Sequence, residues 1–135
     1  MSLTVELNSF SYKKSGIPVD TSGNGGGFVF DCRFIFNPGR LDEYKDLTGK
    51  DSAVINFLDS QNTMNEFLQS VYALITPAIK NYLERNFSHL MINFGCTGGQ
   101  HRSVYSAEMT KKFIEKNFPG VIVTVNHREF PHLNN

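Results

Sequence analysis

The sequence predicts an α/β fold: a small three-layer sandwich around a mostly parallel sheet of about four strands, with a ligand loop at the carboxyl edge of the strands. Three observations carry this. Short runs at 28–32, 90–94 and 121–125 have the length and the apolar, β-branched or aromatic content of buried strands. Helical spacing of apolar residues fills the stretches that separate these runs. A loop of small residues, Gly95-Cys96-Thr97-Gly98-Gly99-Gln100-His101-Arg102-Ser103, joins one of the strands directly to a helix.

Residues 3–8 alternate enough to form a first strand. Residues 10–27 follow, with Gly16, Pro18 and then four glycines. That length exceeds an ordinary connector and predicts either a functional flap or a disordered excursion. Phe28-Val29-Phe30-Asp31-Cys32 is the second strand. The loop from Arg33 to Lys50 turns at Asn37-Pro38-Gly39 and carries charged residues suited to a ligand lid. From Asp51, Val54, Ile55 and Leu58 make a short apolar face. Asn62 then caps a longer helix whose Phe67, Val71, Leu74, Ile75, Ile79 and Leu83 face the core, with a kink at Pro77. The third strand is 90–94. The helix after it starts near Ser103, turns Val104, Ala107, Phe113 and Ile114 inward, and stops at Asn117-Phe118-Pro119-Gly120. Val121 to Val125 completes a βαβ unit with the small-residue loop at its crest.

Chemistry concentrates in that loop. Glycines allow main-chain N–H groups to turn toward one centre, the following helix presents unpaired N–H groups and the positive end of its dipole, and Arg102 can grip two oxygens at once. The expected guest is a phosphorylated small molecule or another oxyanion, held on the amides of Thr97, Gly98, Gly99, Gln100 and His101 with Arg102 bidentate. Asp31 and Arg33 alternate along the second strand and its exit, so they point to one side of the same edge. There they offer a hydroxyl or amine acceptor beside a second guanidinium. Cys96, Gly99, Arg102 and Ser103 also satisfy C-x-x-G-x-x-R-[ST], the pattern of cysteine-dependent phosphatases. This leaves a second reading, with Cys96 as nucleophile, Arg102 as oxyanion clamp and Asp31 or Asp20 as acid. The histidine that usually precedes the phosphatase cysteine is replaced by Gly95.

The chain has 135 residues, enough for one domain, 1–135. Thirteen Lys plus Arg balance thirteen Asp plus Glu, which argues against a nucleic-acid surface as the main business of the molecule. There is no apolar run long enough to span a bilayer and no secretory leader, and the two cysteines suit a reducing cytoplasm. No G-x-x-x-x-G-K-[ST] occurs, so nucleotide binding through a P-loop is not expected. Neither a cofactor nor a metal is expected.

Gly95 to Tyr105 closely resembles the signature of the C-terminal domain of the RapZ family of RNase adapters. Ser9-Phe10, Tyr12-Lys13, Gly16-Ile17-Pro18, Asp20, Phe30-Asp31, Arg33-Phe34, Asn37-Pro38, Thr48-Gly49 and His127-Arg128 extend the likeness, in order, over residues 4 to 128. The resemblance implies recognition of a phosphorylated amino sugar and, in some members, of a regulatory RNA, without established turnover. It implies a phosphate-side pocket of Cys96, Thr97, Gly98, Gly99, His101 and Arg102, with Asp31, Arg33 and Asn37 contributing. Lys13, His127 and Arg128 lie at its rim or on an RNA-facing surface. Self-association is a further implication. Gly39 stands where many relatives carry a histidine or tyrosine, a departure that bears on which sugar is bound.

Overall fold

A computed structural model describes residues 2–134. Four strands, β1 (Thr4–Ser11), β2 (Gly27–Asp31), β3 (His89–Cys96) and β4 (Ile122–His127), form one sheet in the order β2-β3-β1-β4. Every pairing in it is parallel. The helices are α1 (Ser52–Asp59), α2 (Asn62–Glu84) and α3 (Arg102–Asn117). The α/β class and the parallel sheet predicted from the strand-like runs are both found.

Period-2 alternation divides the sheet into two unlike faces. Val5 and Leu7 of β1 lie level with Leu90 and Ile92 of β3, and Phe28 and Phe30 of β2 lie level with Ile92 and Phe94. With Val123 and Val125 of β4 they make the face that all three helices cover. Burying one such side chain fully contributes roughly 1.5–3 kcal/mol, so this face supplies most of the hydrophobic stabilisation. Glu6, Asn8 and Asn93 share the opposite face, where the Asn8 amide donates to Asn93 Oδ1 at 2.9 Å and to Glu6 Oε2 at 2.8 Å.

The segment 12–26 is the β1-to-β2 crossover. It returns across that second face, next to Val29, Met91 and Asn93, and so supplies the third layer without a helix. Asp20 organises it by accepting from the main-chain N–H groups of Ser22 and Gly26. Of the two loops expected to close over a ligand, only 33–50 lines the cavity beside the loop at the end of β3.

Two expectations about α2 need correction. Leu74 and Leu83 are 55% and 40% exposed. The buried stripe is Met64, Leu68, Val71, Ile75 and Ile79, so Val71, Ile75 and Ile79 face the core as expected, with Phe67 partly buried against it, and Met64 and Leu68 complete the stripe. Asn62 is the first helical residue, preceded by Gln61 in extended conformation, and it makes no capping hydrogen bond.

Candidate functional site

Parallel pairing brings the ends of β1, β2 and β3 to one edge, with Ser11 opposite Cys96 and Asp31 opposite Gly95. The chain leaves β3 at Cys96, turns through 97–101 and enters α3 at Arg102. Gly99 has φ +65°, and a Cβ there would meet Glu129 Cγ at 2.6 Å and the Ser11 nitrogen at 3.0 Å, so the turn requires glycine. Among the described residues, the main-chain N–H groups of Thr97 to His101 find no acceptor.

Arg102 is 4% exposed and its guanidinium is divided in function. Nη1 donates to the carbonyls of Arg33 at 2.9 Å and Ile35 at 2.7 Å, pinning the segment that follows β2. Nε is buried without a partner, and Nη2 makes no hydrogen bond among the described residues. Nε and Nη2 form the edge of a guanidinium that binds an oxyanion through two parallel bonds.

Two adjoining cavities share Asn37, Thr97 and Arg102. The loop cavity, about 230 Å³, is lined further by Lys45, Cys96, Gly98, Gln100 and His101. The side cavity, about 250 Å³, is lined by Arg33, Phe34, Phe36 and Arg40. Among the described residues, no carboxylate lines either one. Asn37 Oδ1 accepts from the Gly39 N–H at 2.9 Å, which leaves the amide nitrogen of Asn37 as a donor.

The remaining predicted residues distribute as follows. Gln100 spends its side chain on the carbonyls of Lys45 and Leu47, at 2.7 and 2.8 Å, and so ties the 33–50 loop to the turn after β3. Ser103 is fully buried and receives the Cys96 thiol at 3.1 Å. Gly99 faces Glu129 and Ser11 instead of the cavities. Asp31 and Arg33 form a 2.7 Å ion pair with each other, and the Arg33 guanidinium lies 3.9 Å over the Tyr12 ring. That hydrogen-bonded arginine holds the Asp31 carboxyl below the usual carboxylate range.

His101 donates from Nε2 to the Tyr44 carbonyl at 2.8 Å, because a carbonyl can only accept. Burial lowers its pKa, with the Tyr44 carbonyl opposing. The folded protein therefore releases this proton more readily than the unfolded chain. The linked stability is complete above the ordinary value of about 6.5 and is lost as pH falls through it toward the lowered folded value. We expect His101→Gln to reduce the loss of stability between about pH 7.5 and about pH 5.5, read from urea unfolding at the two values.

Three expectations are corrected by these positions. Asp20 stands 4.0 Å from His89, the first residue of β3, whereas Cys96 is the last. At about 3.3 Å per residue an eight-residue strand separates them by roughly 23 Å, so Asp20 cannot protonate a leaving group there. Asp31 is held ionised by Arg33 and lines neither cavity, so it makes a poor acid. His127 is fully buried, between the Ser9 hydroxyl and the Glu108 carboxylate at 2.7 Å each, and is closed to RNA. Lys13 and Arg128 are exposed and line neither cavity. The charged lining residues that sequence reasoning did not name are Arg40 and Lys45, which arrive through the fold of the 33–50 loop.

A parallel α/β sheet with an unpaired amide loop and a half-engaged arginine at its carboxyl edge defines a small α/β module with unsatisfied hydrogen-bond donors at its strand tips. The family model for the RapZ C-terminal domain matches residues 3–131, and the chain belongs to that family. It is 40% identical over 128 residues to a nucleotide-binding protein of Cereibacter sphaeroides, covering 94% of this chain and 39% of the relative. A nucleotide-binding protein of Fervidobacterium nodosum is 39% identical, over 93% of this chain and 42% of its own length. One from Caldicellulosiruptor bescii is 41% identical, over 94% and 41%. The chain thus spans about two-fifths of the length of the curated relatives it matches. Among the described residues, no helix is long and apolar enough to cross a membrane.

Proposed function

We propose that this chain is a regulatory binding module that holds the phosphate of a small molecule, of the amino-sugar-phosphate class, in the loop cavity. The observation that carries the reading is the Nε–Nη2 edge of Arg102, unpaired and with Nε buried, beside main-chain N–H groups that find no acceptor. An unsatisfied buried donor costs about 1–3 kcal/mol, and a bound oxyanion removes that cost. The absence of any carboxylate from the lining supports an anion over a cation or a neutral sugar. Amides of Thr97, Gly98 and His101 would receive two of the phosphate oxygens, and Lys45 and the Asn37 amide would meet what lies beyond them.

Sulfate, phosphate and hexosamine phosphates should each raise the melting temperature. Ligand at a hundred times its Kd stabilises by about 2.7 kcal/mol, on the order of 10 °C for a domain of this size. A panel in which none of these anions moves the transition overturns the reading. RNA has less support: the net charge is zero, and His127 is unavailable.

One observation favours a second reading, since Cys96 borders the same cavity within a Cys-x5-Arg spacing. Against it stand the 2% exposure of Cys96, its thiol donating to Ser103, and the lack of a protonated acid among the candidates. The expected result is that wild type and Cys96→Ala turn over an aryl phosphate equally slowly while both retain the anion-dependent rise in melting temperature. Hydrolysis by wild type that disappears in Cys96→Ala would establish the phosphatase instead.

A further inference from the structure

The turn after β3 has a back as well as a front. Thr97, Gly98, Gln100 and His101 border the loop cavity, whereas Gly99 turns away from it. A Cβ on Gly99 would stand 2.6 Å from Glu129 Cγ, 3.0 Å from the Ser11 nitrogen and 3.1 Å from the Phe10 carbonyl carbon. Glu129 supplies the side chain in that contact, and it comes from the turn that follows β4. That turn is itself fixed, since the Arg128 N–H donates to the Ser9 carbonyl at 3.0 Å and the Phe130 N–H to the His127 carbonyl at 3.2 Å. Both carboxylate oxygens of Glu129 are engaged: Oε2 accepts from the Ser11 N–H and Oε1 from the Ser15 hydroxyl, each at 2.9 Å. Ser11 ends β1, and its own hydroxyl donates to the Thr97 carbonyl at 2.5 Å. Glu129 thus reaches the turn twice, directly at Gly99 and through Ser11 at Thr97. Among the described residues it pairs with no cation, and it lines neither cavity.

From this arrangement we infer that Glu129 is a positioning residue for phosphate binding: it fixes Ser11, and through Ser11 and Gly99 it holds residues 97–101 in the shape that aims their N–H groups at one centre. This rests on the phosphate-binding reading of the loop. A set of main-chain donors works as a unit only when its members are fixed relative to one another before the ligand arrives. Gln100 and His101 tie the turn to the 33–50 loop through the carbonyls of Lys45, Leu47 and Tyr44. Glu129 and Ser11 tie it to the end of β1, so without Glu129 the turn keeps one set of side-chain ties and loses support on the other. Charge alone gives the opposite expectation. A carboxylate behind an anion site repels the anion, and deleting it would tighten binding if Coulomb's law were the only term. Positioning predicts weaker binding, so the sign of the effect separates the two.

The test is calorimetric titration of sulfate and of inorganic phosphate into wild type and Glu129 variants, at a temperature where urea unfolding shows each protein folded. Glu129→Ala is expected to bind both anions about fivefold or more weakly, the scale of one net hydrogen bond. Glutamine should restore affinity to within about twofold of wild type, because its Oε1 can accept from the Ser11 N–H while its Nε2 donates to the Ser15 hydroxyl. Glu129→Met keeps a chain over Gly99 without an oxygen acceptor, should weaken binding as alanine does, and takes alanine's place if that variant does not fold. Asn134→Ala loosens the same C-terminal segment by removing the acceptor of the His127 N–H, and it should bind sulfate as wild type does. Unchanged or tighter binding in the variants without the carboxamide or carboxylate, a glutamine variant as weak as alanine, or an equal loss in Asn134→Ala overturns the positioning role while phosphate binding stands. Wild type that binds neither sulfate nor phosphate overturns both.

Discussion

Replacing Arg102 by alanine is expected to abolish the rise in melting temperature with phosphate or sulfate and to destabilise the ligand-free protein by about 3 kcal/mol, the scale of losing hydrogen bonds from a charged donor to buried acceptors. Both effects come from one side chain because its nitrogens are shared out. Nη1 secures the carbonyls of Arg33 and Ile35, and the opposite edge is unpaired. Arg102→Lys separates the two contributions. An ammonium keeps the charge and can still reach a carbonyl, yet it cannot present two parallel donors to an oxyanion. Lysine should therefore recover much of the stability and little of the ligand response. Chemical denaturation with and without sulfate, at a temperature where every variant is folded, measures the two separately. An alanine variant that kept the wild-type response to sulfate would falsify the proposed site.

Gly49→Ala is expected to produce the second large effect, a loss of about 2–3 kcal/mol together with weakened anion binding, although residue 49 lines neither cavity. A Cβ at this position would overlap the His101 carbonyl oxygen and the Tyr105 amide nitrogen, which pair with each other in the first turn of α3. These are backbone atoms with no rotamer to change. Relief requires moving the helix start or the 33–50 loop, and the Gly49 N–H is also bonded to the Gln100 carbonyl at 2.9 Å. Gly98→Ala is the control. A Cβ there meets nothing within 4 Å and its φ is not positive, so the expected change in stability is below about 0.5 kcal/mol. Guanidinium unfolding of the two variants side by side checks the contrast, and equal midpoints would show that the close approach at Gly49 carries no weight.

Sequence was most informative where chemistry and local geometry coincide. The run that became β3 is apolar because it is a central strand buried almost throughout, and the edge strands β2 and β4 carry apolar residues on the face turned to the core, so all three are visible without knowing the fold. The proposed anion loop was legible for a similar reason, since glycines, a helix start and an arginine lie within nine consecutive residues. Arg40 and Lys45 were not. They sit among Asp42, Glu43 and Asp46 and read as part of a solvated stretch, and bonds from Gln100 to the carbonyls of Lys45 and Leu47 and from His101 to the Tyr44 carbonyl bring that stretch to the site. Leu74 was misread because Leu74 and Ile75 both fit a helical stripe with Val71, and tertiary packing chose Ile75. His127 was misread because its partners, Ser9 and Glu108, are remote in sequence and its burial depends on β4 running two residues past Val125.

The crossover between the first two strands travels over the side of the sheet that carries Asn8 and Asn93, away from the proposed binding loop at the strand tips. Length and composition around Gly23, Asn24 and Gly25 are therefore insulated from binding. A peptide tag or fluorophore grafted at that tip should report on the protein without disturbing what it recognises, which makes this stretch the natural handle for building a sensor from the domain.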